Sequence, residues 1–440
     1  MKTLWHLLLL SLALTQAHCS RSSDIQSSRS LSDEEKEPER HSPGQRVVPE
    51  IPGIPVRSVV LSQMLFTRFQ NYDLLNTLFK AGVPEVIIVV PAIAPQMRAD
   101  EQNLYFRMKA GQPEIVTPYR KQAHQKLTIL PHEFHSRDQV EPSAWARDWG
   151  PITARDIETA ETRFLDFRYL SGRPVDELAP ELLARNIDQD RIIPTVRSDI
   201  KFEGGNFVID ELGYCAVSES MIAQNRRDSS KASFEEDRQI STRLQTITGC
   251  KDIDIFPRLP FELTGHVDIW MKFVGKKTVM LAYLPQVLQS LPMYNNPSQQ
   301  AAFRKVKEFL QDKQEFFQGK GWKVIPVPMS APVFELHPRS GQVASGAYRS
   351  YLNSLAVNRD IIIPRYISPK PDSSRFEPES GPWHDGIYVD NAYLDDYEEL
   401  VKIAYQQAGF ETLHWVNADL LVNDGGAIHC STMQIPEWNL

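Results

Sequence analysis

Four cysteines in 440 residues are too few for a disulfide-built scaffold. No Lys/Arg run is sustained and the formal net charge is −8, so no nucleic acid is expected as a partner. Beyond the N-terminus no apolar stretch reaches the length of a membrane span, and no stable membrane span is expected. Neither a zinc-type Cys/His spacing nor a calcium-loop pattern occurs, so no metal and no cofactor is expected. What is there is ordinary globular composition, 42% hydrophobic and 24% charged, in a chain long enough to bury a large core. The acidic balance weakly favours cationic small molecules or basic peptides.

The first residues have the pattern of an export signal. Lys2 precedes an apolar run from Leu4 to Leu14, and small residues follow at Thr15-Gln16-Ala17 or Ala17-His18-Cys19. The expectation is a signal peptide over 1–19 and a secreted or periplasmic protein. Residues 20–50, rich in Ser, Glu, Arg and Pro, read as a disordered leader, which leaves 51–440 as one folded domain. Without Cys19 three cysteines remain: Cys215, Cys250 and Cys430. An odd number in an exported chain suggests a pair plus one free thiol. Cys215 and Cys250 are the candidate pair, or else two buried thiols filling apolar positions.

A local theme then repeats five times: a helical stretch, a turn residue, a β-branched strand. LLNTLFKAG leads through Gly82 to EVIIVVP, and ELLARN leads to RIIPTV. The capping box Ser233-x-x-Glu236 opens a helix that ends near Gly249 before DIDIFP. Phe303, Val306, Leu310 and Phe317 form one apolar stripe that stops near Gly319 and Gly321 before KVIPVP. Leu394, Tyr397, Val401, Ala404 and Ala408 form another, ending at Gly409 before TLHWVN.

After each unit comes a polar or Gly-rich segment. They are WARDWGP (Trp145 to Pro151), FEGGNF (Phe202 to Phe207), TGHVDIW (Thr264 to Trp270), YLNS (Tyr351 to Ser354) and GAIHC, which ends at Cys430. His266-x-Asp268 reads as strand, with both side chains on one face. If the units close around an axis, all five segments meet at its centre.

A cysteine nucleophile must become a thiolate, and a histidine supplies acid/base capacity. Carboxylates beside a thiol oppose its ionisation unless the substrate carries the compensating positive charge. A planar guanidinium does, and it pairs bidentately with carboxylates. The expected chemistry is therefore a clamp by Asp148 and Asp268 and attack by Cys430 on the guanidino carbon. His266 protonates the departing ammonia, and water hydrolyses the covalent thiouronium. Taken one at a time, each segment also has a plainer reading, as a surface ion pair, a hairpin turn or a satisfied core hydrogen bond.

W-x-R-D-x-G-P, E-G-G-N, G-H-[VI]-D and G-G-x-x-H-C-x-T-x-Q occur here in that order. Over roughly 55–440 the chain resembles the bacterial guanidino-group-modifying family that joins Porphyromonas-type peptidylarginine deiminase with agmatine deiminase. The resemblance implies an α/β fold, the pentein α/β propeller of five pseudo-symmetric repeats. It implies Cys430 as nucleophile, His266 as acid/base, Asp148 and Asp268 as guanidinium ligands and Glu203 as a supporting carboxylate, with Trp145 and Asn353 lining the substrate channel. DFRYLSGRPVDELAP (Asp166 to Pro180) is similar to the segment with which the peptidylarginine branch grips a peptide carboxylate, which makes Arg168 and Arg173 the candidates here. The expected substrate is peptidylarginine, converted to citrulline. The alternative is agmatine, converted to N-carbamoylputrescine in putrescine biosynthesis.

Overall fold

The computed structural model describes residues 44–437, apart from 93–96, 108–113, 135–138, 140, 170–171, 230–232, 292–293, 295, 367–393 and 423. The expected signal peptide, and the expected leader up to residue 43, lie outside the described residues. The leader does not extend to residue 50, because Gln45–Val47 is already a strand. It pairs antiparallel with Ile152–Asp156, Gln45 facing Asp156 and Val47 facing Ala154. Gln45 Nε2 also donates to the Ile247 carbonyl at 2.6 Å. Gly249 permits this seat: its φ is +72° and a Cβ there would lie 1.9 Å from the Gln45 carbonyl oxygen.

Five sheets share one topology: a strand, an antiparallel neighbour, helix, and a parallel return. Ile152–Asp156 is followed by Thr162–Arg168, helix Pro174–Asn186 and Thr195–Lys201. Phe207–Ile209 is followed by Tyr214–Ser218, helices Glu219–Asn225 and Phe234–Thr248, and Asp252–Phe256. Met271–Gly275 leads through Thr278–Tyr283 and helix Pro297–Gly319 to Lys323–Pro328. Leu355–Val357 leads through Asp360–Arg365 and helix Leu394–Gln407 to Thr412–Asn417. The fifth module joins strands from near the two ends of the described residues. Its opening strand, Met433–Pro436, is antiparallel to Val56–Ser62, which continues through helix Asp73–Lys80 to the parallel strand Glu85–Pro91. Each sheet is open, and no ladder closes into a barrel among the described residues.

The helix stripes explain why the modules hold. In Pro297–Gly319 the buried side chains are Ala302, Phe303, Val306, Phe309, Leu310 and Phe317, a run at helical spacing. Each large member contributes roughly 1.5–3 kcal/mol relative to exposure. The helix starts where Asn296 Oδ1 accepts from the Ser298 N–H at 2.8 Å and Pro297 presets the first turn. The Ser233 hydroxyl caps Phe234–Thr248 as its capping box predicts. One strand begins later than the pattern RIIPTV suggests, at Thr195. The Ile193 N–H returns to the Ala184 carbonyl at 2.9 Å and Pro194 has no N–H to give, so these residues form a loop. Cys215 and Cys250 are joined, with Cα atoms 5.9 Å apart, which ties a strand to the end of the helix behind it. Among the described residues no helix is long and apolar enough to cross a membrane.

Candidate active site

The five polar segments occupy one position in the modules: each lies just before the opening strand. Asp148 precedes Ile152, Glu203 precedes Phe207, Asp268 precedes Met271, Asn353 precedes Leu355 and Cys430 precedes Met433. Their side chains meet in one buried cluster.

Cys430 is 3% exposed and is the free cysteine of the described residues. Its Sγ lies 3.1 Å from Asn353 Nδ2 and 3.5 Å from Asp268 Oδ2. Its own turn is locked by Thr432 Oγ1 donating to the Ile428 carbonyl at 2.7 Å, by the His429 N–H on the Asn353 carbonyl at 3.1 Å, and by the Cys430 N–H on Asn353 Oδ1 at 3.3 Å. A Cβ on Gly426 would lie 2.4 Å from the Trp145 ring, so glycine lets that ring rest against the Cys430 turn.

His266 faces two carboxylates: Glu203 Oε2 at 3.2 Å and Asp148 Oδ1 at 3.8 Å. Gly205 sits between them. Its N–H donates to Asp148 Oδ1 at 2.9 Å, and a Cβ on it would lie 2.6 Å from His266 Nδ1 and 3.1 Å from Asp268 Oδ2. The Asn206 side chain secures this turn, donating to Ser220 Oγ at 2.8 Å and accepting from the Ser218 N–H at 2.9 Å. Ser220 Oγ in turn donates to the Gly265 carbonyl at 3.3 Å. His266-x-Asp268 is not strand. Val267–Ile269 forms a single 3-10 turn, yet both side chains enter one cluster, His266 against Glu203, Asp148 and Cys430, and Asp268 against Cys430.

Burial sets the electrostatics. It pushes the Cys430 thiol up to about 12, Asp268 and Asp148 adding to this and His266 opposing it. It raises the Asp148 carboxyl to about 7, with Glu203 and Asp268 reinforcing the shift against His266 and the Gly205 N–H. Burial also opposes the charged form of His266, but Asp148 and Glu203 hold its pKa well above the ordinary value. Against the same burial, His266 keeps Glu203 below the usual carboxylate range and His429 does so for Asp268. The free site is thus a protonated thiol and an imidazolium among carboxylates, ready for a cation.

Beside Trp145 opens a cavity of about 260 Å³, also lined by Phe69, Glu141, Arg173 and Asp424. Arg173 is 40% exposed there, with Asp176 Oδ2 at 3.6 Å. The structure does not bring Arg168 to this cavity; its side chain ends strand Thr162–Arg168 facing solvent. Sequence reasoning missed the rear of the site. His429 donates from Nδ1 to Asp268 Oδ2 at 2.7 Å and its Nε2 lies 3.0 Å from Glu50 Oε2, while Glu50 Oε1 pairs with Arg147. Lys272, lowered to about 8 by burial, donates to the Ser354 carbonyl at 2.8 Å. A charged residue in the apolar run MKFV was the one signal for Lys272; nothing local marks Glu50.

The chain is similar in fold to agmatine deiminase of Enterococcus faecalis, at a TM-score of 0.59, 17% identity and coverage of 90% of this chain and 97% of that one. For agmatine deiminase of C. jejuni the values are 0.57, 15%, 89% and 96%. For the putative arginine deiminase of Porphyromonas gingivalis they are 0.58, 16%, 90% and 99%. A search of curated protein sequences finds no match. The family model for Porphyromonas-type peptidyl-arginine deiminase matches residues 89–377, a span that includes Asp148, Glu203, His266, Asp268 and Asn353 and stops before Cys430. With more than half its length matched, the chain belongs to the Porphyromonas-type peptidyl-arginine deiminase family, enzymes that hydrolyse C–N bonds of guanidino groups.

Proposed function

We propose that this chain hydrolyses the guanidinium of arginine in peptides, giving citrulline and ammonia. One observation carries the reading: a thiol buried against Asp268 and Asn353, with His266, Asp148 and Glu203 in the same cluster. Such a thiol ionises readily only when a cation arrives. Asp148 and Asp268 hold the guanidinium nitrogens, and Cys430 attacks the central carbon. His266 gives its proton to the leaving nitrogen and recovers one from the thiol, so guanidinium plus thiol yields thiouronium plus ammonia. Ammonia leaves as ammonium, taking the His266 proton, and the now neutral His266 deprotonates the water that attacks the thiouronium carbon. The C–S bond breaks, the thiol is restored, and the net products are a ureido group and ammonium.

The common position of the five segments supports an arrangement of the modules as a pentein propeller around this centre. Arg173 beside Trp145 supports a substrate with a carboxylate near the arginine side chain, and so favours peptidylarginine over agmatine. The Cys215–Cys250 disulfide supports an exported enzyme. The test is ureido-product formation from agmatine, free arginine and a peptide ending in arginine, each also with Cys430→Ala. Turnover of the peptide alone, lost in the variant, is expected. Turnover of agmatine alone assigns the enzyme to polyamine metabolism, and full activity of Cys430→Ala refutes the mechanism.

A further inference from the structure

The Asp268 carboxylate is held asymmetrically. Oδ2 takes His429 Nδ1 at 2.7 Å and Asn353 Nδ2 at 2.8 Å, whereas Oδ1 is buried with no hydrogen-bond partner among the described residues. A buried, unpartnered carboxylate oxygen is costly unless a ligand completes it. Its orientation therefore decides where a guanidinium N–H can land. The His429 ring that pins Oδ2 is itself fixed from behind, its Nε2 3.0 Å from Glu50 Oε2. The second oxygen of Glu50 meets Arg147, whose backbone N–H donates to the Cys430 carbonyl at 3.1 Å. Arg147, Glu50, His429, Asp268 and Cys430 form one continuous chain of contacts, and the first four line a rear cavity of about 50 Å³. Glu50 comes from the N-terminal arm, outside the family-matched residues 89–377 and outside all four motifs.

We propose that Glu50 is a positioning residue for the reaction, acting through His429 to present Asp268 Oδ1 to the guanidinium. The inference rests on the reading of Asp268 as a guanidinium ligand. A carboxylate behind a histidine fixes the ring and strengthens the bond the ring makes in front, as it does behind metal-bound histidines, where its loss costs roughly 10–100-fold.

The experiment compares Glu50→Gln, Asp268→Asn and Gln45→Ala in the full chain. It follows turnover of the best of the three substrates and the rate at which a cationic haloacetamidine alkylates Cys430. Glu50→Gln is expected to lower both by about 10–100-fold. Combined with His429→Gln it should lose little more than either single variant, because the two act as one chain. Gln45→Ala loosens the same arm without touching Glu50 and is expected to lower the melting temperature while keeping both rates. If Asp268→Asn is inactive and Glu50→Gln behaves as wild type, the Glu50 proposal fails alone. If Asp268→Asn keeps full activity, the guanidinium reading fails, and the proposal with it. Equal losses in Gln45→Ala and Glu50→Gln make the arm mere scaffold and overturn the proposal. Should Glu50→Gln not fold, His429→Gln tests the same chain, and unchanged rates there overturn it.

Discussion

Cys430 should be inert toward neutral electrophiles until a cation sits beside it. Burial and the charges of Asp268 and Asp148 move the thiol from 9.0 to about 12. Three pK units correspond to about 4 kcal/mol, so at pH 7.5 the free enzyme holds a thiolate fraction on the order of 10⁻⁴ to 10⁻⁵. A guanidinium about 4 Å away, at an effective dielectric near 20, returns about 4 kcal/mol. The substrate's charge thus offsets the burial penalty. The assay is alkylation of Cys430 against pH with neutral iodoacetamide and with a haloacetamidine of similar size. Iodoacetamide should react about 10³-fold more slowly at pH 7.5 than with an ordinary thiol, and its rate should still be climbing above pH 10. The cationic reagent should recover most of that factor near neutrality. An iodoacetamide profile with its midpoint at or below 9, and no advantage for the cation, refutes the reasoning.

Three further outcomes follow from the same geometry. Asp148→Asn should abolish turnover and yet stabilise the fold at alkaline pH. The folded-state carboxyl is raised from 3.8 to about 7, so its favourable contribution is present below pH 4 and is lost as pH rises through about 7. The melting-temperature difference, variant minus wild type, should grow from pH 4 to pH 8, and a flat difference contradicts it. Gly205→Ala would set a methyl group 2.6 Å from His266 Nδ1 and 3.0 Å from Asp148 Oδ1, and kcat should fall by at least about 10²-fold; near wild-type kcat would show that the turn yields. Reducing the Cys215–Cys250 bond, whose partners are 35 residues apart, should cost about 3–4 kcal/mol in denaturant unfolding, read as a shift of the midpoint. The alkylation profile of Cys430 should not move, since that bond lies in another module's sheet.

What was legible in the chain was local. Helical stripes such as Phe303, Val306, Leu310 and Phe317 announce themselves because the residues that pack together are neighbours in sequence. Polar groups in Gly-rich turns were legible for a different reason: five such turns, each following a helix and strand, need a common explanation. The failures are those that depend on the fold. His266-x-Asp268 was misread as strand, because a 3-10 turn can bring both side chains to one cluster just as strand alternation would. Arg168 and Arg173 looked equivalent in sequence, but one ends a strand in solvent and the other stands at the start of a helix beside Trp145. Glu50 was assigned to a leader because its surroundings are polar and Pro-rich. Its partner His429 lies 379 positions away and is reached because the fifth module pairs Val56–Ser62 with Met433–Pro436. Truncation should expose that dependence. A chain starting at residue 44 keeps the strand Gln45–Val47 and Glu50, whereas one starting at 51 loses that strand and leaves Arg147 and His429 without their carboxylate. The longer form should match the full-length protein in melting temperature and turnover. The shorter should be less stable, having lost the Gln45–Val47 strand pairing as well as the Glu50 ion pair with Arg147. Equal behaviour of the two would mean that the arm, for all its contacts, is dispensable to both fold and site.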